Sequence, residues 1–243
     1  MSRSLKPLLA TLALALYFVS TLGCFSAGGG AQVRIVNAVP DSQPIDVYIN
    51  STRVATAMAF NTFQPNANPA KYIGVPTGTE SIQGFLTGTT INPVSPSGTL
   101  SLTSNTQYTI VAVGLELNTS PPLLLTDVNT LPTSGNVEFR IINASPSSPV
   151  NGVDVYLVPP GTDITDYTPQ ISLLNNGQAS SYQSLTYTAS GYEMIVTPTG
   201  TKVPLIHQTY IPNSASITTL VLVDNAGGNN GLSQTPLVLN DLN

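Results

Sequence analysis

The sequence predicts an all-β protein: two tandem immunoglobulin-like antiparallel β-sandwich domains behind a signal peptide. Three observations lead there. Only 8% of the 243 residues are charged, while 20 Pro and 19 Gly break the chain into short runs of Val, Ile, Leu and Tyr, the pattern of many strands joined by tight turns. The chain is also written twice, with motifs recurring in the same order. Before both copies stands a basic start and an apolar run that ends at the only cysteine, Cys24.

The leader comes first in the chain. Arg3 and Lys6 supply a positive start, and Leu8 to Leu22 an apolar stretch shorter than the ~20 residues needed to span a bilayer. Thr21-Leu22-Gly23-Cys24 resembles the lipobox of bacterial lipoproteins, with Thr21 where Leu is usual. That resemblance implies a signal peptide over residues 1–23, lipidation of Cys24, and attachment to a membrane through the lipid anchor without spanning it. An ordinary secretory signal cut elsewhere and an uncleaved anchor are the alternatives. Residues 24–30 read as a Gly-rich tether. The expected location is the cell envelope, at the outer membrane or cell surface, because Phe25 stands where an inner-membrane retention signal often shows Asp.

Past the leader, five basic residues face twelve acidic ones, so a nucleic-acid partner lacks its electrostatic footprint. Val33-Arg34-Ile35-Val36-Asn37-Ala38-Val39-Pro40 is echoed by Phe139-Arg140-Ile141-Ile142-Asn143-Ala144-Ser145-Pro146. Ile45-Asp46-Val47-Tyr48-Ile49 returns as Val153-Asp154-Val155-Tyr156-Leu157, and the stretch from Pro122 to Asn129 as Pro236 to Asn243. This places repeat 1 at 31–129, a linker at 130–135 and repeat 2 at 136–243, with the extra length of the second copy in loops near Asn151-Gly152 and Gly161 to Asp166. About seven strands per copy match the size of an immunoglobulin-like sandwich.

Ile45, Val47 and Ile49 alternate with Asp46 and Tyr48, which predicts one face inward and one outward. Leu102, six residues before Tyr108, suggests a tyrosine corner; in copy two Ile211 and Ile217 stand in the corresponding places, so the hydroxyl is expected to be lost. The runs Ile110 to Val113, Leu220 to Val223, Leu123 to Leu125 and Leu237 to Leu239 are apolar on both faces. Their second face must be covered by the other repeat, a partner protein or another copy of the chain. The oligomeric state is not readable from sequence.

The paired motifs resemble a bacterial family of secreted domains, domain of unknown function 4397. Its recurring element is Arg, two aliphatic residues, His, a small residue and Pro-Asp, then an aliphatic-Asp-Val-Tyr strand. Arg34, Pro40, Asp41, Asp46, Val47 and Tyr48 match, as do Arg140, Ser145, Pro146, Asp154, Val155 and Tyr156; Asn37 and Asn143 replace the His, and Ser147 the Asp. The resemblance implies tandem sandwich-like domains outside the cell and no reaction. A ligand role for the family His would be lost twice here.

Chemistry-bearing residues are few. His207 is the only histidine and no Gly-x-Ser-x-Gly elbow is present, so no catalytic constellation emerges and the chain reads as a non-enzyme with no cofactor and no metal site. Asp163 and Asp166 lie in a turn-rich loop unique to copy two. With Tyr167, Tyr182, Tyr187 and Tyr192 as stacking residues, they make the candidate ligand site. Asp224 to Gly231 is rich in Asn and Gly, with side-chain oxygens that suit calcium, but misses the calcium-loop spacing. The Arg34 and Asp46 pair, with Arg140 and Asp154, is expected as a cross-strand ion pair on the outer face. Asn50, Asn118 and Asn143 open glycosylation-like triplets that are simplest as chance matches. The expected function is a lipid-anchored binding or structural module with a protein or glycan partner; the alternative is a surface glycan-binding or glycan-cleaving protein using the loops of repeat 2.

Overall fold

The computed structural model describes residues 29–66, 71–117, 121–227 and 231–242. Cys24, the leader and Asn118 lie outside the described residues. No helix long and apolar enough to cross a membrane occurs among them.

The first half forms β1 (Ala31–Asn37), β2 (Ile45–Ile49), β3 (Thr52–Met58), β4 (Thr62–Gln64), β5 (Ile73–Val75), β6 (Gly78–Leu86), β7 (Val94–Leu102), β8 (Gln107–Ala112) and β9 (Leu123–Thr126). The second forms β10 (Asn136–Asn143), β11 (Val153–Val158), β12 (Ile171–Leu174), β13 (Gln178–Ala179), β14 (Gln183–Thr186), β15 (Tyr192–Pro198), β16 (Ile206–Tyr210), β17 (Ile217–Leu222) and β18 (Leu237–Asn240). The topology recurs. One sheet runs β4-β1-β8-β9 with β5 also on β1, and its counterpart runs β13-β10-β17-β18 with β14 on β10. The second sheets are β3-β2-β6-β7 and β12-β11-β15-β16.

The expectation of purely antiparallel sheets is corrected at one place in each half: β1 pairs with β8, and β10 with β17, in parallel. The chain between them passes through the opposite sheet, a connection long enough to bring the later strand back in the same direction. The short β4, β5, β13 and β14 strands raise the count above the seven expected per copy.

Alternation along the strands builds three cores. Val33, Ile35, Tyr108 and Ile110 face Ile45, Val47, Ile49 and Ile82 across the first sandwich. Phe139, Ile141, Leu220 and Leu222 face Val153, Val155, Met194 and Val196 across the second. The opposite faces of the same inner strands, Val36, Val111, Val113, Ile142, Val221 and Val223, form a third cluster with Leu239, Leu123 and Leu125. The doubly apolar strands thus find their second surface in the other half of the chain. At ~1.5–3 kcal/mol for each fully buried Val or Leu, such a cluster is strong enough to hold the halves as one body.

Tyr108 is a tyrosine corner in effect, its hydroxyl accepting the Thr103 N–H at 3.0 Å. Pairing of β1 with β8 and of β10 with β17 sets Tyr108 opposite Val33 and Thr218 opposite Phe139, so the counterpart of Tyr108 is Thr218 and not Ile217. Length differs where expected in the β2 to β3 connection: Asn50-Ser51 in the first half becomes residues 159–170 in the second.

Candidate functional site

A buried polar cluster lies between the halves, and neither repeat completes it alone. Arg34 on β1 and Arg140 on β10 share the interface face of their strands with Val36 and Ile142, because residues two apart point the same way. Each Arg first bonds its own half: Arg34 Nη2 donates to Thr109 Oγ1 at 2.7 Å and Arg140 Nε to Thr219 Oγ1 at 2.7 Å. Each guanidinium lies over a tyrosine ring of its own half, Arg34 5.2 Å from Tyr72 and Arg140 4.7 Å from Tyr182, within cation–π range. Each then crosses over. Arg34 reaches Asp241 Oδ1 at 2.6 Å and the Asn240 carbonyl at 3.0 Å; Arg140 bonds Asp127 Oδ1 and the Thr126 carbonyl at 3.0 Å.

The carboxylates are fixed with the same reciprocity. Asp127 accepts from Thr109 Oγ1 at 2.6 Å and Tyr72 Oη at 2.7 Å, and Asp241 from Thr219 Oγ1 at 2.5 Å and Tyr182 Oη at 2.8 Å. All four charged side chains are at most 3% exposed. Two cations against two anions leave the cluster formally neutral, which is the condition for burying charge at all. Burial would lower the Arg34 pKa, but Asp241, Tyr72 and Asp127 outweigh it and raise it, so the cation persists. Burial pushes the Tyr72 and Tyr182 phenols well above their ordinary range, and the carboxylates they bond reinforce the shift.

This corrects the expected ion pairs. Arg34 does not meet Asp46, nor Arg140 Asp154, because Asp46 and Asp154 belong to the other sheet of each sandwich. Nor do they face solvent: they are 3% and 5% exposed. Asp46 accepts the Ala57 N–H at 2.8 Å and the Thr87 hydroxyl at 3.2 Å; Asp154 accepts the Leu173 N–H at 3.0 Å, the Thr199 hydroxyl at 3.2 Å and the Gly200 N–H at 2.9 Å. Ala57 and Leu173 have positive φ, 47° and 56°, where the ladder is irregular. The motif aspartate therefore clamps an edge-strand bulge and a Thr-Gly turn in both halves. Among the described residues, Arg53, half exposed, is the only cation on Asp46.

Asn37 and Asn143 are equally matched. Each amide donates to a loop serine, Ser42 or Ser148, and to a backbone carbonyl, Met58 or Leu174, while accepting the N–H two residues ahead. Asn143 is fully buried, so its triplet is inaccessible in the folded chain.

Residues 31–156 match a family model described as a domain of unknown function, DUF4397. The chain belongs to that family. In this DUF4397 protein the departure at Ser147 has a compensation: Asp224, 1% exposed, supplies the missing carboxylate from the end of β17 and accepts from the Ser145 hydroxyl and from Ser147 Oγ at 2.6 Å. In the first half Asp41 itself accepts the Glu116 N–H at 2.9 Å. Among solved structures, the protein is similar to one reported as alpha-glucan binding by a streptococcal virulence factor, at 9% identity and TM-score 0.26 over 84% of this chain and 97% of that one. It is also similar to one reported as alpha-glucan recognition by family 41 carbohydrate-binding modules from streptococcal virulence factors, at 13% identity and TM-score 0.27 over 82% and 97%. A TM-score this low transfers neither ligand nor site. No curated protein matches the chain.

The candidate ligand residues of repeat 2 do not converge. Tyr182 is held by Asp241 at the interface, and Tyr192 is 9% exposed in the second core with its hydroxyl on the Thr186 carbonyl. Both rings are consumed by packing and are not a stacking platform. Tyr187, whose N–H bonds the Gly135 carbonyl, lies beside the linker. Tyr167, Asp163 and Asp166 stay together on the exposed 159–170 loop, where Asp163 caps Thr165 through its N–H at 2.9 Å and hydroxyl at 2.7 Å. That loop folds Ile164 over Tyr156, and Lys202 sits 4.6 Å above the Tyr156 ring. His207 is exposed and faces Glu193 at 3.2 Å. Among the described residues no group of three His, Cys, Asp or Glu is placed to hold a metal.

Sequence reasoning missed Tyr72, Thr109 and Thr219. The signal was available: Thr109 and Thr219 share strand parity with Val111 and Val221, which already had to face an unseen surface.

Proposed function

We infer that the protein is a non-enzymatic module of the cell envelope, anchored through a lipid on Cys24, whose two sandwiches act as one rigid body that binds or positions a partner outside the cell. The observation that carries this reading is the interface: the polar residues written twice in the sequence are engaged in bonds that join strands and halves, so their chemistry serves architecture. Binding is then left to the parts in which the halves differ, above all the 159–170 loop.

The test has two arms. Fatty-acid labelling of wild type and Cys24→Ser reads the anchor; labelling of wild type alone supports it, and equal labelling of both overturns it. Capture from detergent-solubilised envelopes, beside a glycan array, reads the module. A captured partner or glycan lost on Asp163→Ala with Tyr167→Ala supports a binding role of the loop. Turnover of a captured glycan, abolished by Asp163→Asn, would replace the binding reading with an enzymatic one.

A further inference from the structure

We propose that the face between the repeats is self-complementary, and that two copies of this chain join through it by exchanging repeats. This inference rests on the interface geometry alone and is independent of the anchor and of the function above.

The charged bonds at the centre of the interface are reciprocal, while two others, the Lys71 ammonium on the Leu242 carbonyl and the Gly227 N–H on the Pro40 carbonyl at 2.8 Å, are one-sided. Repeat 1 offers Arg34 as donor with Asp127 and the Thr126 carbonyl as acceptors; repeat 2 offers Arg140 as donor with Asp241 and the Asn240 carbonyl as acceptors. Each donor of one half meets the acceptor pair of the other, and the apolar part is matched in the same way, Val36 and Val111 with Ile142 and Val221. Such an isologous arrangement is the geometry of a two-fold interface. Nothing in these contacts requires that both halves belong to one chain.

The segment from Asp127 to Gly135, between β9 and β10, is the covalent connection between the halves, with Leu131 at its middle 70% exposed. Fully extended, that segment reaches about 30 Å. A short tether gives the partner half an effective concentration on the order of 1 mM, so the closed chain prevails in dilute solution. A chain whose tether cannot close must leave buried charge and a core-sized apolar face open, and a second copy with the same open face satisfies both at once.

The experiment uses the full chain in detergent with Thr130 to Ser134 deleted, analysed by size-exclusion chromatography with light scattering. The shortened chain is expected at twice the mass of one chain, and to return to a single-chain mass when Val111→Asp and Val221→Asp are added. A shortened chain that keeps its β-sheet circular dichroism yet remains at one-chain mass overturns the proposal. If the deletion prevents folding, wild type refolded from urea over about 10 μM to 3 mM, a range that runs past the effective concentration of about 1 mM, gives the answer. A dimer fraction that rises with concentration and persists on dilution supports exchange, and a single-chain mass throughout overturns it.

Discussion

Replacing Asp127 by Asn removes one charge from the interface while keeping the shape of the side chain. The carboxylate is fully buried and accepts from Thr109, Tyr72, Arg34 and Arg140, two of these partners being cations and one belonging to the other repeat. An amide must turn a donor toward one of these donors, and it leaves two guanidinium groups against the single carboxylate of Asp241. Breaking one partner out of a buried ion pair costs about 3–5 kcal/mol. Against a total stability of about 5–15 kcal/mol, that is a large share. For a chain of this size the melting temperature should fall by roughly 6–20 °C. Urea and thermal unfolding, followed by circular dichroism and tyrosine fluorescence, measure it. Removing the exposed partner of Asp46 with Arg53→Ala should cost no more than about 1 kcal/mol, because half its side chain is in water. The double variant Asp127→Leu with Arg140→Met should recover most of the loss, since a well-packed apolar pair replaces a buried ion pair at little cost. A single Asp127→Asn within about 1 kcal/mol of wild type would refute the claim that this cluster holds the halves together.

Two further outcomes follow from ionisation. Burial alone would raise the Asp46 pKa, but the N–H of Ala57, the Thr87 hydroxyl, the Gly88 N–H and Arg53 outweigh it and hold it below the ordinary aspartate range. The stability this group contributes is therefore complete above about pH 4 and is lost as pH falls through the lower folded value. Asp46→Asn should be less stable than wild type at pH 7 and approach it near about pH 2; urea midpoints with a constant gap over that range would contradict the assignment. Tyr72 and Tyr182 shift the other way, raised by burial, so their contribution is complete below about pH 10 and falls as pH climbs toward the folded values. Tyr72→Phe with Tyr182→Phe should flatten the alkaline loss of stability, and phenolate absorbance should show two fewer tyrosines titrating only on unfolding than in the wild type. Early titration of all the tyrosines would rule the burial effect out.

The architecture was legible wherever a local pattern sufficed. Val33, Ile35 and Ile45 to Ile49 alternate over a few residues, and the doubling of the motifs told that both halves share one topology. The parallel β1 and β8 pair was not legible, because pairing over a long crossover leaves no mark in either strand. The ion pairs were misread for a related reason: Arg34 bonds Asp241 across 207 positions, while Asp46 stands close by in the same motif. Parity contained the answer. Arg34 points with Val36, and Thr109 with Val111, so once the apolar residues of those strands required a second covered face the charges on that face had to be covered with them. Asp46 lies on a strand of the opposite sheet and could not follow.

The same reasoning bears on where the proposed binding role would reside. A residue kept in both copies is doing what both copies need, and in this protein that is closing a bulge, bridging a loop or joining the halves. Asp46 and Asp154, Asn37 and Asn143, and Arg34 and Arg140 each make matching bonds in the two halves. Specific recognition needs a surface that is single, and two of the differences between the halves bear on it. In one, the carboxylate that fixes the first loop moves from Asp41 to Asp224 and keeps its structural task. In another, the two-residue turn at Asn50-Ser51 expands into 159–170, which covers Tyr156 with Ile164 and leaves Asp163, Asp166 and Tyr167 in solvent. The first difference preserves the scaffold, whereas the second adds a surface that the scaffold does not require, and it is there that substitutions should alter binding without moving the unfolding midpoint.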